Sequence, residues 1–88
     1  MGLQAEAQVL VLEGELEELE EQSRSMKEEI EYGEMALQTT TDPGARLVLA
    51  EQVDLTRRMK VETDANWSLK ERELQILKQL IELTSASG

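Results

Sequence analysis

Six glutamates fall within nine positions (Glu13, Glu15, Glu17, Glu18, Glu20 and Glu21), the densest set of ionisable side chains in this 88-residue sequence. Carboxylates at that density could hold a hard cation or share a proton as an acid–base pair. Calcium, however, takes its oxygens from a loop of alternating carboxylates with a glycine at the sharp turn. Here Leu16 and Leu19 interrupt the acids at helical spacing, so the carboxylates radiate from a helix instead of converging. A hydrolytic carboxylate pair also needs a cleft that raises one pKa, and two solvated helices offer none. The sequence has no Cys and no His. That removes disulfides, the usual zinc ligands, thiol nucleophiles and imidazole catalysis. Ser, Thr and Lys occur without a motif that sets a nucleophile beside a base. We therefore expect no enzyme, cofactor, metal or small-molecule ligand. The glutamate run reads as a solvated acidic face, with docking to a basic partner as the functional alternative.

The charge is lopsided. Residues 1–42 carry twelve Asp/Glu and two Lys/Arg, whereas residues 43–88 carry seven of each. A net charge of −10 argues against direct binding to nucleic acid or anionic lipid, which select basic surface. The longest apolar runs, residues 9–12 and 47–50, are far short of a membrane span. The first residues lack the basic region of a signal peptide, and Glu6 stands where a myristoylation signal places Ser or Thr.

The chain is interrupted once, at Thr39-Thr40-Thr41-Asp42-Pro43-Gly44, which holds its single proline. The expected fold is all-α: a helix over about 3–38, a turn at 39–42, a helix over about 43–83 and a frayed tail at 84–88. Asp42 suits the N-cap and Pro43 the first helical position, with Gly44 completing the turn. In the first arm Val9, Leu12, Leu16, Leu19, Ser23, Met26, Ile30, Gly33 and Leu37 keep a 3,4 spacing without slipping, the signature of a coiled-coil seam. Ser23 and Gly33 are small, which suits close helix approach or a pocket for a large side chain such as Trp67.

The second arm carries two stripes. The purer at full heptad length, though less pure than the seam of the first arm, is Val48, Gln52, Leu55, Met59, Glu62, Asn66, Leu69, Glu73, Ile76, Leu80 and Leu83, read here as the main seam with Gln52, Glu62, Asn66 and Glu73 as its polar positions. A partial one, Leu49, Val53, Thr56, Thr63, Trp67, Leu74, Leu77 and Ile81, runs beside it. A face that wide touches two neighbours. Folding the hairpin antiparallel sets Glu28 near Arg57, Lys27 near Arg58, Glu15 near Lys70, Glu13 near Arg72 and Leu16 near Leu69. It gathers the broadest apolar faces at the open end and leaves Leu10, Leu74, Ile76 and Leu80 uncovered in a single chain. The expected interface residues are Leu10, Leu12, Leu16, Leu19, Met26, Ile30, Leu55, Met59, Trp67, Leu69, Leu74, Ile76, Leu77 and Leu80. Trp67 is their anchor, because Trp dominates interface hot spots, and Asn66 is a register-setting polar seam residue. An open rod and a domain-swapped dimer are the rival topologies.

Thr41-Asp42-Pro43, followed one helix later by Asn66-Trp67, together with the acidic leucine-containing run Leu16 to Glu21, resembles the synaptonemal complex central element protein 3 family. The segment from Leu74 to Leu83 departs from that pattern. The resemblance implies a helix–loop–helix that dimerises into a four-helix bundle and joins other chains of the central element between paired meiotic chromosomes, in the nucleus. From the residues alone the expectation is a self-associating scaffold component, intracellular and otherwise cytoplasmic, whose partner is itself or another coiled-coil protein. A small adaptor on a larger cytoskeletal or kinetochore coiled coil, and an acidic inhibitor that masks a basic surface, are the alternatives.

Overall fold

The computed structural model describes residues 2–87, and the side chains of residues 4–85. It is a helical hairpin. Helix α1 (Gly2–Thr39) and helix α2 (Pro43–Ser87) lie antiparallel in a rod of 68 × 15 × 14 Å. At a rise of about 1.5 Å per residue, the 45 residues of α2 account for the full length of that rod. The break therefore closes into a turn, and the open rod does not form.

Local chemistry fixes the turn. The Ala45 amide donates to Asp42 Oδ2 at 2.9 Å, and the Arg46 amide donates to the Asp42 carbonyl at 2.9 Å. This is an N-cap with Pro43 at the first helical position, where its missing N–H costs nothing. Gly44, expected in the turn, belongs to the first turn of α2, and no glycine among the described residues has a positive φ. At the other side of the turn α1 ends on its own terms. Thr39 Oγ1 donates to the Ala36 carbonyl at 3.2 Å. The Arg46 guanidinium then reaches across to the carbonyls of Leu37 and of Thr40, the latter at 2.9 Å. A cation on the last carbonyls of a helix satisfies acceptors that have no partner within it and complements its dipole. One cap thus starts α2, and one α2 side chain closes α1.

The expected seam of α1 is the observed one: all nine of its positions are buried or half-buried. In α2 the expectation is reversed. The partial stripe of Leu49, Val53, Thr56, Thr63, Trp67, Leu74, Leu77 and Ile81 packs on α1, and every residue of the purer stripe is exposed. Charge and size explain the choice. The purer stripe would set Glu62 and Glu73 against the acidic arm. The partial one presents Lys60, Lys70 and the Trp67 N–H, and the latter two pair with Glu15 and Glu20. Val53 also fits against Gly33, where no side chain intervenes.

The core is small and lies toward the open end. Leu12, Leu16 and Leu74 are buried, with Val9, Trp67 and Leu77 packed around them. Leu74, expected to be uncovered, is therefore 4 % exposed, whereas Leu10, Ile76 and Leu80 are exposed as expected. Because Leu69 is also exposed, Leu16 packs in the cluster with Leu74 and does not face Leu69. Of the complementary cross-arm pairs, Glu15 with Lys70 forms. Arg57 instead takes Glu34, Arg58 turns back on Asp54 at 2.9 Å, and Glu13 and Arg72 form no ion pair. Helix α2 continues through Thr84 and Ser85 to Ser87, past the expected fraying point. The Thr84 hydroxyl there donates to the Leu80 carbonyl at 2.8 Å. Gly88, the end of the expected tail, and Met1 lie outside the described residues.

Two glycines should respond in opposite directions. A Cβ on Gly33 would collide with Val53 Cγ2, and a buried β-branched neighbour cannot rotate away. Overpacking of about 1–3 kcal/mol outweighs a helix-propensity gain of about 1 kcal/mol. Gly33→Ala should therefore lower the urea midpoint. Gly14 has nothing within 4 Å of the same position, so Gly14→Ala should raise the midpoint by up to about 1 kcal/mol of stability.

Candidate interaction surface

The two sides of the hairpin differ. On one side, polar links tie the helices together. Arg57 pairs with Glu34. The Ser23 hydroxyl donates to Asp64 Oδ1 at 2.6 Å, and Lys60 donates to Asp64 Oδ2 at 2.8 Å. The Trp67 indole N–H donates to Glu20 Oε1 at 3.1 Å. The Lys60 ammonium, and then the Ser23 hydroxyl, hold the Asp64 carboxyl below its ordinary value. The hydrogen bond from Lys70 to Glu15, nearer the other side, holds that ammonium above its own. These groups range from half-buried to exposed and stay in contact with water, which weakens each pair. They select the face of α2 that meets α1 and add little to its stability.

The other side is open. A groove runs between Ser25, Glu29 and Tyr32 of α1 and Gln52 and Leu55 of α2. Toward the open end a second groove lies between Gln4 and Gln8 of α1 and Ile76 and Leu80 of α2. The rim shared by both is the purer stripe of α2. Val48, Leu55, Met59, Leu69, Ile76, Leu80 and Leu83 are each between 47 % and 66 % exposed. Scattered surface leucines need no explanation, but large apolar side chains that recur along one face of a helix mark an interaction site. The row spans nearly the whole of α2.

The expected interface residues thus divide into two groups. Leu12, Leu16, Ile30 and Leu74 are buried, and Leu19, Met26, Trp67 and Leu77 are half-buried, all within the hairpin. Leu10, Leu55, Met59, Leu69, Ile76 and Leu80 are exposed, and five of these six belong to the α2 row. Trp67 packs against the Leu12, Leu16 and Leu74 cluster and so anchors the intrachain core. Ser23 faces the same region: it shares a cavity wall with Leu19, Lys60 and Trp67, and the space left by its small side chain lies beside the indole. Among the described residues no acidic cluster is arranged to hold a metal ion, and no helix is long and apolar enough to cross a membrane. The glutamates of positions 13–21 point along several directions of α1, and two of them, Glu15 and Glu20, are used by α2.

Arg46 and Asp64 are the structural residues that pattern reading missed. Both make their contacts through side chains that cross between helices, and neither interrupts an apolar spacing. The available signal for Arg46 was its place one turn after the cap, at the mouth of the hairpin. Comparison with known proteins returns nothing: no family model, no curated protein and no solved structure matches the chain.

The anchor role of Trp67 is directly measurable. Full truncation of a buried aromatic costs about 3–5 kcal/mol, and Trp67 is partly exposed, so Trp67→Ala should cost about 2–3 kcal/mol in urea unfolding. Trp67→Phe keeps the packing and loses one exposed hydrogen bond, at about 1 kcal/mol or less. Equal losses for both variants would show that the Glu20 bond, not the packing, carries the contribution.

Proposed function

We propose that this chain is a non-enzymatic structural protein that assembles with further copies of itself through the exposed row on α2. The observation that supports the reading is that row: seven large apolar side chains at seam positions of α2, with Gln52, Glu62, Asn66 and Glu73 between them, on a face that α1 does not cover. Seven half-exposed side chains offer on the order of 600–700 Å² per chain, close to the roughly 800 Å² per partner of a standard interface. Charge points to the same helix. A second copy brought against α1 meets the half of the chain, residues 1–42, that carries the net −10, whereas residues 43–88 are balanced. Two hairpins joined along α2 form a four-helix arrangement. Such a unit is a scaffold component. The resemblance at Thr41-Asp42-Pro43 and Asn66-Trp67 gives it a setting, the meiotic central element in the nucleus, and that setting rests on those residues alone.

Sedimentation equilibrium tests the reading. The chain should run at twice its mass or more at micromolar concentration. Leu69→Glu and Ile76→Glu change side chains that the hairpin leaves exposed, so helicity should be unchanged while the dissociation constant rises about tenfold or more. A monomer at high micromolar concentration with full helicity contradicts self-association.

A further inference from the structure

The polar residues within the exposed row also fix how two copies meet. We infer that the rows pair antiparallel, α2 on α2, with the two-fold axis beside Asp64, so that Glu62 of one copy faces Asn66 of the other. This inference rests on the self-association proposed above and adds its direction and register.

The row is interrupted by Gln52, Glu62, Asn66 and Glu73, all exposed. In a parallel, in-register pair each residue meets its own copy. Glu62 then lies on Glu62 and Glu73 on Glu73, two like-charge contacts inside an apolar seam, where shielding by water is weakest. An antiparallel pair avoids both, but not in every register. Moving the axis one heptad step toward the C-terminus brings Glu62 onto Glu73 of the second copy, twice over. One step toward the N-terminus carries the partners of Leu80 and Leu83 past the start of α2, and larger slips leave either Val48 and Leu55 or Ile76, Leu80 and Leu83 without a partner.

With the axis beside Asp64 the row is covered from end to end. Met59 faces Leu69, Val48 faces Leu80 and Ile76 faces Gln52. Leu55 meets the alkyl stem of Glu73, whose carboxylate reaches water at the rim. At the centre the Asn66 carboxamide N–H groups can donate to the Glu62 carboxylate of the other copy, an assisted hydrogen bond formed twice. The nearest charges on the outer rim are Arg58 and Arg72. Arg58 already carries its own bridge to Asp54 at 2.9 Å, and the rim is solvated, so this contact is a small penalty. The two-fold axis lies perpendicular to the helices, so the two acidic α1 arms come to the same side of the dimer, where salt screens the repulsion between them.

The chain has no cysteine, so introduced thiols report the geometry cleanly. Val48→Cys and Leu80→Cys alter exposed positions that stand about 48 Å apart along α2. Each variant is oxidised alone and in an equimolar mixture, and products are read by intact mass, which separates the mixed disulfide from either homodimer. Sedimentation of the unmodified chain runs in parallel. The antiparallel register predicts the mixed disulfide as the main product and almost no homodimeric disulfide of either variant. Homodimeric disulfides of each variant alone overturn the proposal in favour of parallel pairing. A dimer that yields none of the three products overturns the register. A monomeric chain instead removes self-association, and with it the premise.

Discussion

Helix α1 carries one apolar stripe and α2 carries two, and a helix stripe can be buried by only one neighbour at a time. That mismatch governs the rest of the molecule. The hairpin can satisfy one stripe of α2 and must leave the other to water or to a further chain. Adjacent stripes on a helix are separated by about 100°, so no rotation of α2 buries both against a single partner. The consequence is a rod with a thin core: three buried leucines near the open end, Ile30 and Val53 nearer the turn, and an apolar row along its flank.

The choice between the two stripes was decided by charge and by size, not by apolar purity. Helix α1 is so acidic that the α2 face carrying Lys60, Lys70 and an indole N–H suits it better than the face carrying Glu62 and Glu73. Each link is weak on a solvated surface, but they act together, and a misplaced glutamate is penalised at every turn. Steric fit acts in the same direction. Gly33 leaves room for Val53 and for no larger approach, and the small Ser23 lies beside the Trp67 indole. The polar residues left on the outer row then take on a second consequence in the assembly proposed here, because they restrict how another copy can pack.

Much of this was legible in the residues. The α1 seam could be read because its positions keep the 3,4 spacing without slipping. The turn could be read because an N-cap and a first-position proline act within four residues of chain. The stripe of α2 that faces α1 could not be read by counting apolar positions, since the purer stripe is the exposed one. Its assignment depends on which charges α1 brings to it, a property of the pair and not of α2. For the same reason Leu74 was expected outside and lies inside, and Arg57 was expected on Glu28 and lies on Glu34. The candidate surface was half legible. Leu55, Met59, Leu69, Ile76 and Leu80 were correctly grouped as apolar, but the same grouping mixed them with residues that belong to the intrachain core.

The close approach of the two helices at Gly33 offers the most direct measurement of the hairpin itself. A Cβ built on Gly33 lies 3.9 Å from Val53 Cβ, inside the range of about 3.5–4.5 Å found across disulfides. Replacing Val53 with cysteine also removes the methyl that would otherwise collide. In the doubly substituted chain, Gly33→Cys with Val53→Cys, oxidation in dilute solution should close a disulfide within a single chain, with helicity retained. Disulfides that join two chains, or thiols that stay free under oxidation, would contradict the intrachain hairpin on which every other feature depends.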